Sequence, residues 1–396
     1  MSELPLDGIT VLELGEGVSA AFCCKLLRDY GADVIKVEKP GSGDKTRRMG
    51  PFPGDEPHPE KSALFLYLNA GKRSITLDIE SDDGKNVIRR LVLEAEAIVE
   101  NFPPGYLAAI DLPFADLRRR KPRLLMTSIT PFGQTGPYSS YKANNLVSFA
   151  SGGEMFMTGD PDREPLLIAG QQADYQAGLH AFAASCVGIY GCNHQEVGQW
   201  IDISAQECQA TMLEFALPWH MYLGLGQGAR RGNQTNALMG VFPAADGHIG
   251  IHVMQPQWPR FTELAGPELR EDERFKDMQS RLVNNDELLA MVFAWAATQN
   301  RTELYHEAQR RKIPVAFIHT LDDLLASEHL NARDFFQAVD HPEAGRALHP
   351  LPGIRFEDAP VEYGPAPLLG EHTEQVLSDI GVSGQEMAAM RDRGVI

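Results

Sequence analysis

The chain has 396 residues, 43% hydrophobic and 23% charged, an ordinary globular composition at a length that suggests two domains. A formal net charge of −18 argues against nonspecific nucleic-acid binding, and any polyanionic ligand needs a local basic patch working against that field. Five cysteines without a CxxC pair, twelve histidines without paired metal spacing, and no signal-peptide pattern or long apolar run imply a cytoplasmic protein with no metal and no membrane partner.

Residues 8–16 read as a buried strand, 18–30 as a helix and 32–38 as a second strand, a βαβ unit. The turn Gly15-Glu16-Gly17-Val18-Ser19 has GxG but no third glycine, so it is weak as a dinucleotide fingerprint. Residues 39–48, KPGSGDKTRR, place Lys39, Lys45, Arg47 and Arg48 around a Gly-Ser-Gly turn. Solvated loop charges explain each cation singly, while the group suits phosphate oxygens. Residues 69–78, NAGKRSITLD, lead into a strand with Lys72 and Arg73 at its start, and helix 82–94 and strand 95–101 follow. After a short helical stretch ending in the basic run 118–121 comes strand 123–130. A Gly/Pro/Ser-rich loop, 131–140, leads to Lys142, Asn144 and Asn145, then to a helical segment over 146–158.

Residues 166–191 pass from an apolar run through Gly170-Gln171-Gln172-Ala173 to a lone carboxylate, Asp174, ahead of an Ala-rich helical segment. Leu179, Ala183, Cys186 and Ile189 recur as on one buried helix face. Asp174 falls in or beside the first turn, where it is either an N-cap or a nucleophilic carboxylate beside backbone donors; local sequence leaves both open. Beyond lie a strand at 199–204, a helix over 205–224, a linker at 226–236 and a hairpin over 242–254 turning at Asp246-Gly247. Helices at 257–265, 284–298 and 301–311, a strand at 313–320, a helix over 322–336, a proline-bearing extended return over 344–370 and two short helices complete an α/β chain.

Several stretches together carry a family resemblance: DYGADVIKVEKPGSGDKTRR (29–48), NAGKRSITLD (69–78), VENFPPG (99–105), SGGEMFMTG (151–159), ADYQAGLHA (173–181) and APLLGEHTEQVLSDIG (366–381). In this order the chain resembles the family III CoA-transferases, the group that includes formyl-CoA transferase, carnitine CoA-transferase and the α-methylacyl-CoA racemases. The resemblance implies a Rossmann-like large CoA-binding domain over 1–226, a small α+β domain over 227–330, and a return segment, 331–396, that completes the large one. It also implies an interlocked homodimer. By the same resemblance no permanently bound cofactor is expected, and the expected partners are an acyl-CoA, used as substrate, and a free carboxylic acid. Asp174 matches the family's catalytic nucleophile. Gly17, Val18, Ser19, Lys39, Lys72, Asn101, Phe102 and Lys142 match positions of the coenzyme A site.

On that reading Asp174 attacks the thioester to give a mixed anhydride, and the CoA thiolate returns to give an aspartyl-CoA thioester. Backbone N–H groups around 170–172 and 173–175 are the candidate oxyanion donors. Two features depart from formyl-CoA transferases: Ala109 stands where they carry an arginine, and residues 228–240 lack their glycine-rich lid. The racemase branch carries Gly-His-Asp where this chain has Ala143-Asn144-Asn145, so the second base that racemisation requires is missing. Racemase and non-catalytic CoA-binding protein remain the alternatives.

Overall fold

The computed structural model describes residues 4–214, 216–223 and 232–396. It divides into two compact units, one of Met1–Glu154, Ile168–Glu214 and Ala332–Ile396, the other of Met155–Leu167 and Phe215–Asn331.

The first unit is built on a parallel sheet of β1 (Thr10–Glu13), β2 (Asp33–Glu38), β3 (Arg73–Thr76), β4 (Ala97–Glu100), β5 (Leu125–Thr130) and β6 (Trp200–Ser204). Their spatial order is β3-β2-β1-β4-β5-β6. Strand order reverses between β1 and β4, and in such sheets ligands bind outside the carboxyl ends of the strands at that reversal. Helices α1 (Val18–Asp29), α2 (Ala63–Asn69), α3 (Asp82–Glu94), α4 (Tyr106–Ala109), α5 (Phe114–Arg120), α6 (Asn145–Ser151), α8 (Gln172–Gln195) and α9 (Ala205–Thr211) connect the strands or flank them, while of α7 (Glu154–Met157) only Glu154 belongs to this unit.

Successive strand residues point to opposite faces, which separates two cores. Leu12, Ile35, Ile75 and Ile98 pack with Val87, Ile88 and Leu91 of α3. Val11, Val34, Val99 and Leu125 pack on the other side with Cys23, Cys24 and Leu27 of α1 and Ala177, Ala181 and Ile189 of α8. The α3 boundaries follow from local chemistry: the Ser81 side chain accepts from the Gly84 N–H, and Asp82 and Asp83 occupy the first turn.

Helix α8 buries a different stripe from the one its large side chains suggest. Ala173, Ala177, Gly178, Ala181, Ser185, Ile189 and Cys192 face inward, whereas Leu179 is 51% exposed and Ala183 is also exposed. The cause is close approach to α1: a Cβ on Gly178 would stand 2.7 Å from the Ser19 carbonyl oxygen. Small residues win that face because the two backbones nearly touch.

In the second unit β7 (Gln234–Asn236), β8 (Met239–Ala244), β9 (Gly247–His252) and β10 (Val315–Phe317) form an antiparallel sheet in the order β10-β9-β8-β7. It carries α10 (Ala216–Leu223), α11 (Trp258–Ala265), α12 (Pro267–Arg270), α13 (Met278–Val283), α14 (Asn285–Ala296), α15 (Arg301–Arg310), α16 (Leu321–Leu325) and α17 (Glu328–Ala332). Phe242, Ile249, Ile251, Phe261, Phe275 and Val292 are its core. The β8–β9 turn is fixed by the Asp246 carboxylate, which accepts from the Arg301 N–H at 2.8 Å.

Three expectations are corrected here. The helix expected over 205–224 is interrupted: α9 ends at Thr211 and α10 starts at Ala216. The helix expected over 322–336 is split into α16 and α17 and ends at Ala332, and Phe336 opens a hairpin of β11 (Phe336–His341) and β12 (Gly345–Pro350), the start of the return segment. The linker expected over 226–236 includes β7; residues 224–231 lie outside the described residues. The chain closes with α18 (Thr373–Asp379) and α19 (Gly384–Asp392). Among the described residues no helix is long and apolar enough to cross a membrane, and no His/Cys/Asp/Glu cluster is arranged for a metal ion.

Candidate active site

At the carboxyl edge of the sheet lies a cavity of about 410 Å³ whose lining includes Gly17, Val18, Ser19, Lys45, Met49, Asn101, Thr130, Asn144, Asn145, Gln171 and Asp174. Two helices of the unit begin at it, α1 behind Gly17 and the 24-residue α8 behind Gln171. Helix starts leave backbone N–H groups free and carry a partial positive charge, so the cavity favours an anion.

Asp174 is the one carboxylate among the described residues that line this cavity. Burial pushes its carboxyl above the ordinary aspartate range, and the Lys45 ammonium partly opposes that rise. The start of α8 is clamped from α6: the Asn145 side-chain oxygen accepts from the Ala173 N–H at 2.9 Å, and its amide donates to the Gly170 carbonyl at 3.2 Å. Behind Asp174, Tyr175 meets Phe22 edge to face at 4.8 Å. The backbone beside the carboxylate is thereby held from two sides.

The turn opposite has its own support. Gly17 takes a φ of 85°, a conformation that side chains resist. Its N–H donates to the Asp44 carboxylate at 3.2 Å. Asp44 in turn lies 2.7 Å from the buried Lys36 ammonium, which keeps its carboxyl low, at about 2, against the desolvation that would raise it. Asn101 ties the same turn to β4: its side chain accepts from the Glu16 N–H at 2.9 Å and donates to the Glu16 carbonyl at 2.7 Å.

Across that Glu16–Asn101 link is a second cavity of about 190 Å³. Leu14, Val37, Leu77, Ile79 and Phe102 provide apolar wall, and Glu16, Lys39, Asp78, Glu80 and Tyr106 provide polar groups. The link contributes Asn101 to one cavity and Glu16 to the other.

The structure brings together Asp174, Gly17, Val18, Ser19 and Asn101 in the first cavity, and Lys39 and Phe102 in the second. Lys142 is exposed, next to the lining residue Ala143. Lys72 is placed elsewhere. Its ammonium is buried 2.6 Å from Glu13 and also donates to Asn69 and the Ala21 carbonyl, so the expected contact with coenzyme A is not met by its position. The candidate oxyanion donors are also narrowed: the Ala173 N–H is taken by Asn145 and the Tyr175 N–H by the Gln171 carbonyl. Ala109 is exposed at the end of α4. Of the expected lid, residues 228–231 lie outside the described residues.

In the sequence Lys45 stands out only as one of a basic cluster, and Asn145 only as one of two asparagines where the racemase branch carries Gly-His-Asp. The available signal for Lys45 was its place after Asp44, which caps the short helical turn Lys45–Arg48 and so turns alternate side chains apart.

Residues 6–373 match CoA-transferase family III. The chain is 30% identical to the formyl-CoA:oxalate CoA-transferase of Streptomyces coelicolor, with all of both chains covered. It is 31% identical to the succinyl-CoA–D-citramalate CoA-transferase of Chloroflexus aurantiacus, covering 99% of this chain and 98% of that one. A CAIB/BAIF family protein from Brucella suis superposes with a TM-score of 0.84 at 31% identity, covering 96% of this chain and all of its own.

Proposed function

Because the chain belongs to CoA-transferase family III and is therefore a CoA-transferase acting on CoA thioesters, we propose that it moves CoA from an acyl-CoA to a free carboxylic acid through Asp174. The observation that carries this reading is a single carboxylate, half-buried at a helix start, in a cavity otherwise lined by hydroxyls, amides, one cation and apolar groups.

Asp174 attacks the thioester carbonyl, the C–S bond breaks, and a mixed anhydride and CoA thiolate result. The thiolate attacks the aspartyl carbonyl and expels the first acid, leaving an aspartyl-CoA thioester. The second carboxylate attacks that thioester and the two steps run in reverse onto it. Every nucleophile is already an anion, so no proton has to move. Partial dehydration sharpens the carboxylate, and the clamped backbone holds it in line.

In this reading the first unit is the Rossmann-like large domain, and the acyl end of the thioester sits in the larger cavity. The nucleotide end lies across the Glu16–Asn101 link, against Phe102 and with Lys39 at hand for phosphate oxygens. Lys142 adds a cation at the rim. A homodimer is also part of the reading: Leu179, Val187, Tyr190 and Trp200 leave an apolar face exposed on and beside α8, of a kind that lone soluble chains rarely expose. A cytoplasmic location fits the five unpaired cysteines.

Racemisation is not favoured. Asn144 caps α6 and Asn145 clamps α8, and neither amide can take a proton from carbon. The decisive experiment offers formyl-CoA and succinyl-CoA to the protein with a panel of free acids that includes oxalate and D-citramalate, and reads the CoA products by mass. Exchange to an acid, abolished in Asp174→Ala by more than about a thousandfold, and hydroxylamine labelling at Asp174 support the reading. α-Proton exchange without transfer, or a label on another residue, overturns it.

A further inference from the structure

We propose that Lys45 is the receptor for the incoming carboxylate, a cation whose charge is left unbalanced in the cavity once Asp174 has been acylated. The inference rests on Asp174 being the nucleophile and adds the residue that recruits the second substrate. Lys45 is the one cation among the described residues lining the cavity. Its ammonium lies against the turn at the start of α1: a Cβ on Gly17 would fall 2.9 Å from Nζ. Among the described residues no hydrogen bond or ion pair engages it. The neighbouring cations differ, since Lys36, Arg47 and Lys72 are buried against carboxylates at 2.7 Å or less.

A second group in the same cavity is also uncommitted. Thr130 is buried, lines the cavity, and its hydroxyl has no partner among the described residues. Buried hydroxyls are normally satisfied, so a group left open in a cavity is a place for a ligand atom. A cation and a free hydroxyl are what a carboxylate requires.

The charge count gives Lys45 its timing. In the free protein the cavity holds Asp174 as an anion and Lys45 as a cation, and the two cancel. In the aspartyl-CoA thioester Asp174 is neutral, and Lys45 leaves the cavity with one net positive charge. The chain as a whole carries −18 and repels acids, so a local attraction that switches on with the thioester delivers the acid at the step that consumes it. The bound carboxylate oxygen attacks the aspartyl carbonyl carbon, the C–S bond breaks, and the electron pair leaves on the CoA sulfur.

Asp174→Asn gives position 174 the charge of the thioester without any turnover. Calorimetric titration with oxalate and with succinate should show at least tenfold tighter binding to the full-length Asp174→Asn protein than to wild type. The gain should disappear in Asp174→Asn/Lys45→Met and weaken with salt. Equal binding by wild type and Asp174→Asn, or a gain that survives Lys45→Met, overturns the proposal. A kinetic arm separates recruitment from any effect on the aspartyl carbonyl. In protein loaded with succinyl-CoA, Lys45→Met should slow discharge by oxalate at least tenfold and leave discharge by uncharged hydroxylamine unchanged. Equal slowing of both would place Lys45 on the carbonyl and overturn the recruitment role. Failure of wild type to form any Asp174 adduct would strike the nucleophile assignment, and the binding titration would still judge Lys45.

Discussion

Lys45 and Arg47 sit two residues apart on one short helical turn, Lys45–Arg48, with opposite surroundings. Arg47 is fully buried, forked onto Glu38 at 2.7 and 2.8 Å, bonded to the Pro367 carbonyl at 3.2 Å, and stacked 3.7 Å above the Phe65 ring. Lys45 reaches into the larger cavity with no such clamp. The difference teaches that a basic cluster in sequence can combine two jobs. One cation helps make the interior, where removing a partner strands a buried charge; the other remains free to meet a ligand.

The sharpest way to break that contrast is to neutralise the interior member. Arg47→Met should lower unfolding free energy by about 3–5 kcal/mol, because Glu38 is left buried without its main partner. A loss below about 1 kcal/mol in a urea titration would show that the interior charges carry little. Lys72→Met comes next, at about 2 kcal/mol, since Glu13 keeps Lys36 as a second partner. Coenzyme A affinity and its salt dependence should not change in that variant, and a salt-dependent loss of affinity would return Lys72 to the ligand site.

Lys45→Met belongs on the other side of the contrast: stability within about 0.5 kcal/mol of wild type, but a displaced pH profile. Burial already raises the Asp174 carboxyl and Lys45 restrains it, so the acid limb of transfer should move to higher pH in the variant. An unmoved limb would separate the two groups.

The smallest effect on stability is expected at Asp174, the proposed nucleophile. Its carboxyl holds a proton more tightly in the folded chain than in the unfolded one. The ionised aspartate therefore costs stability that is intact below the unfolded pKa and lost as pH rises through the folded one. Asp174→Asn should raise the unfolding temperature slightly at pH 7. The gain should fade as pH falls through the raised folded value and be gone below about 4, the ordinary aspartate range of the unfolded chain. A destabilised Asp174→Asn at pH 7 would mean that the carboxylate has a structural partner.

Much of this was legible wherever the cause is local. Helix α3 begins and ends where Ser81, Asp82 and the spacing of Val87, Ile88 and Leu91 dictate. Asp174 falls in the first turn of α8 as the Gly-Gln-Gln-Ala approach suggests. What could not be read depends on distant partners. Lys72 is claimed by Glu13, 59 residues away. Asn145 earns its place through the Ala173 N–H, 28 residues away. The expected helix overran the start of the β11–β12 hairpin at Phe336, where pairing of Phe336–His341 with Gly345–Pro350 outweighs weak local propensity. The inward stripe of α8 is set by how near α1 comes, a quantity that no hydrophobic pattern encodes.

That nearness has one more consequence. Gly178 stands one helical turn beyond Asp174, on the face where α8 rests on the Ser19 carbonyl. It acts as a fulcrum: the thickness of the contact there sets how deep the aspartate reaches, and a single added methyl group would tilt the helix and carry the carboxylate with it. A displacement of about 1 Å at a reacting atom can cost about a hundredfold in rate. The residue with no side chain therefore sets the position of the carboxylate proposed to act as nucleophile, without lining the cavity that holds it.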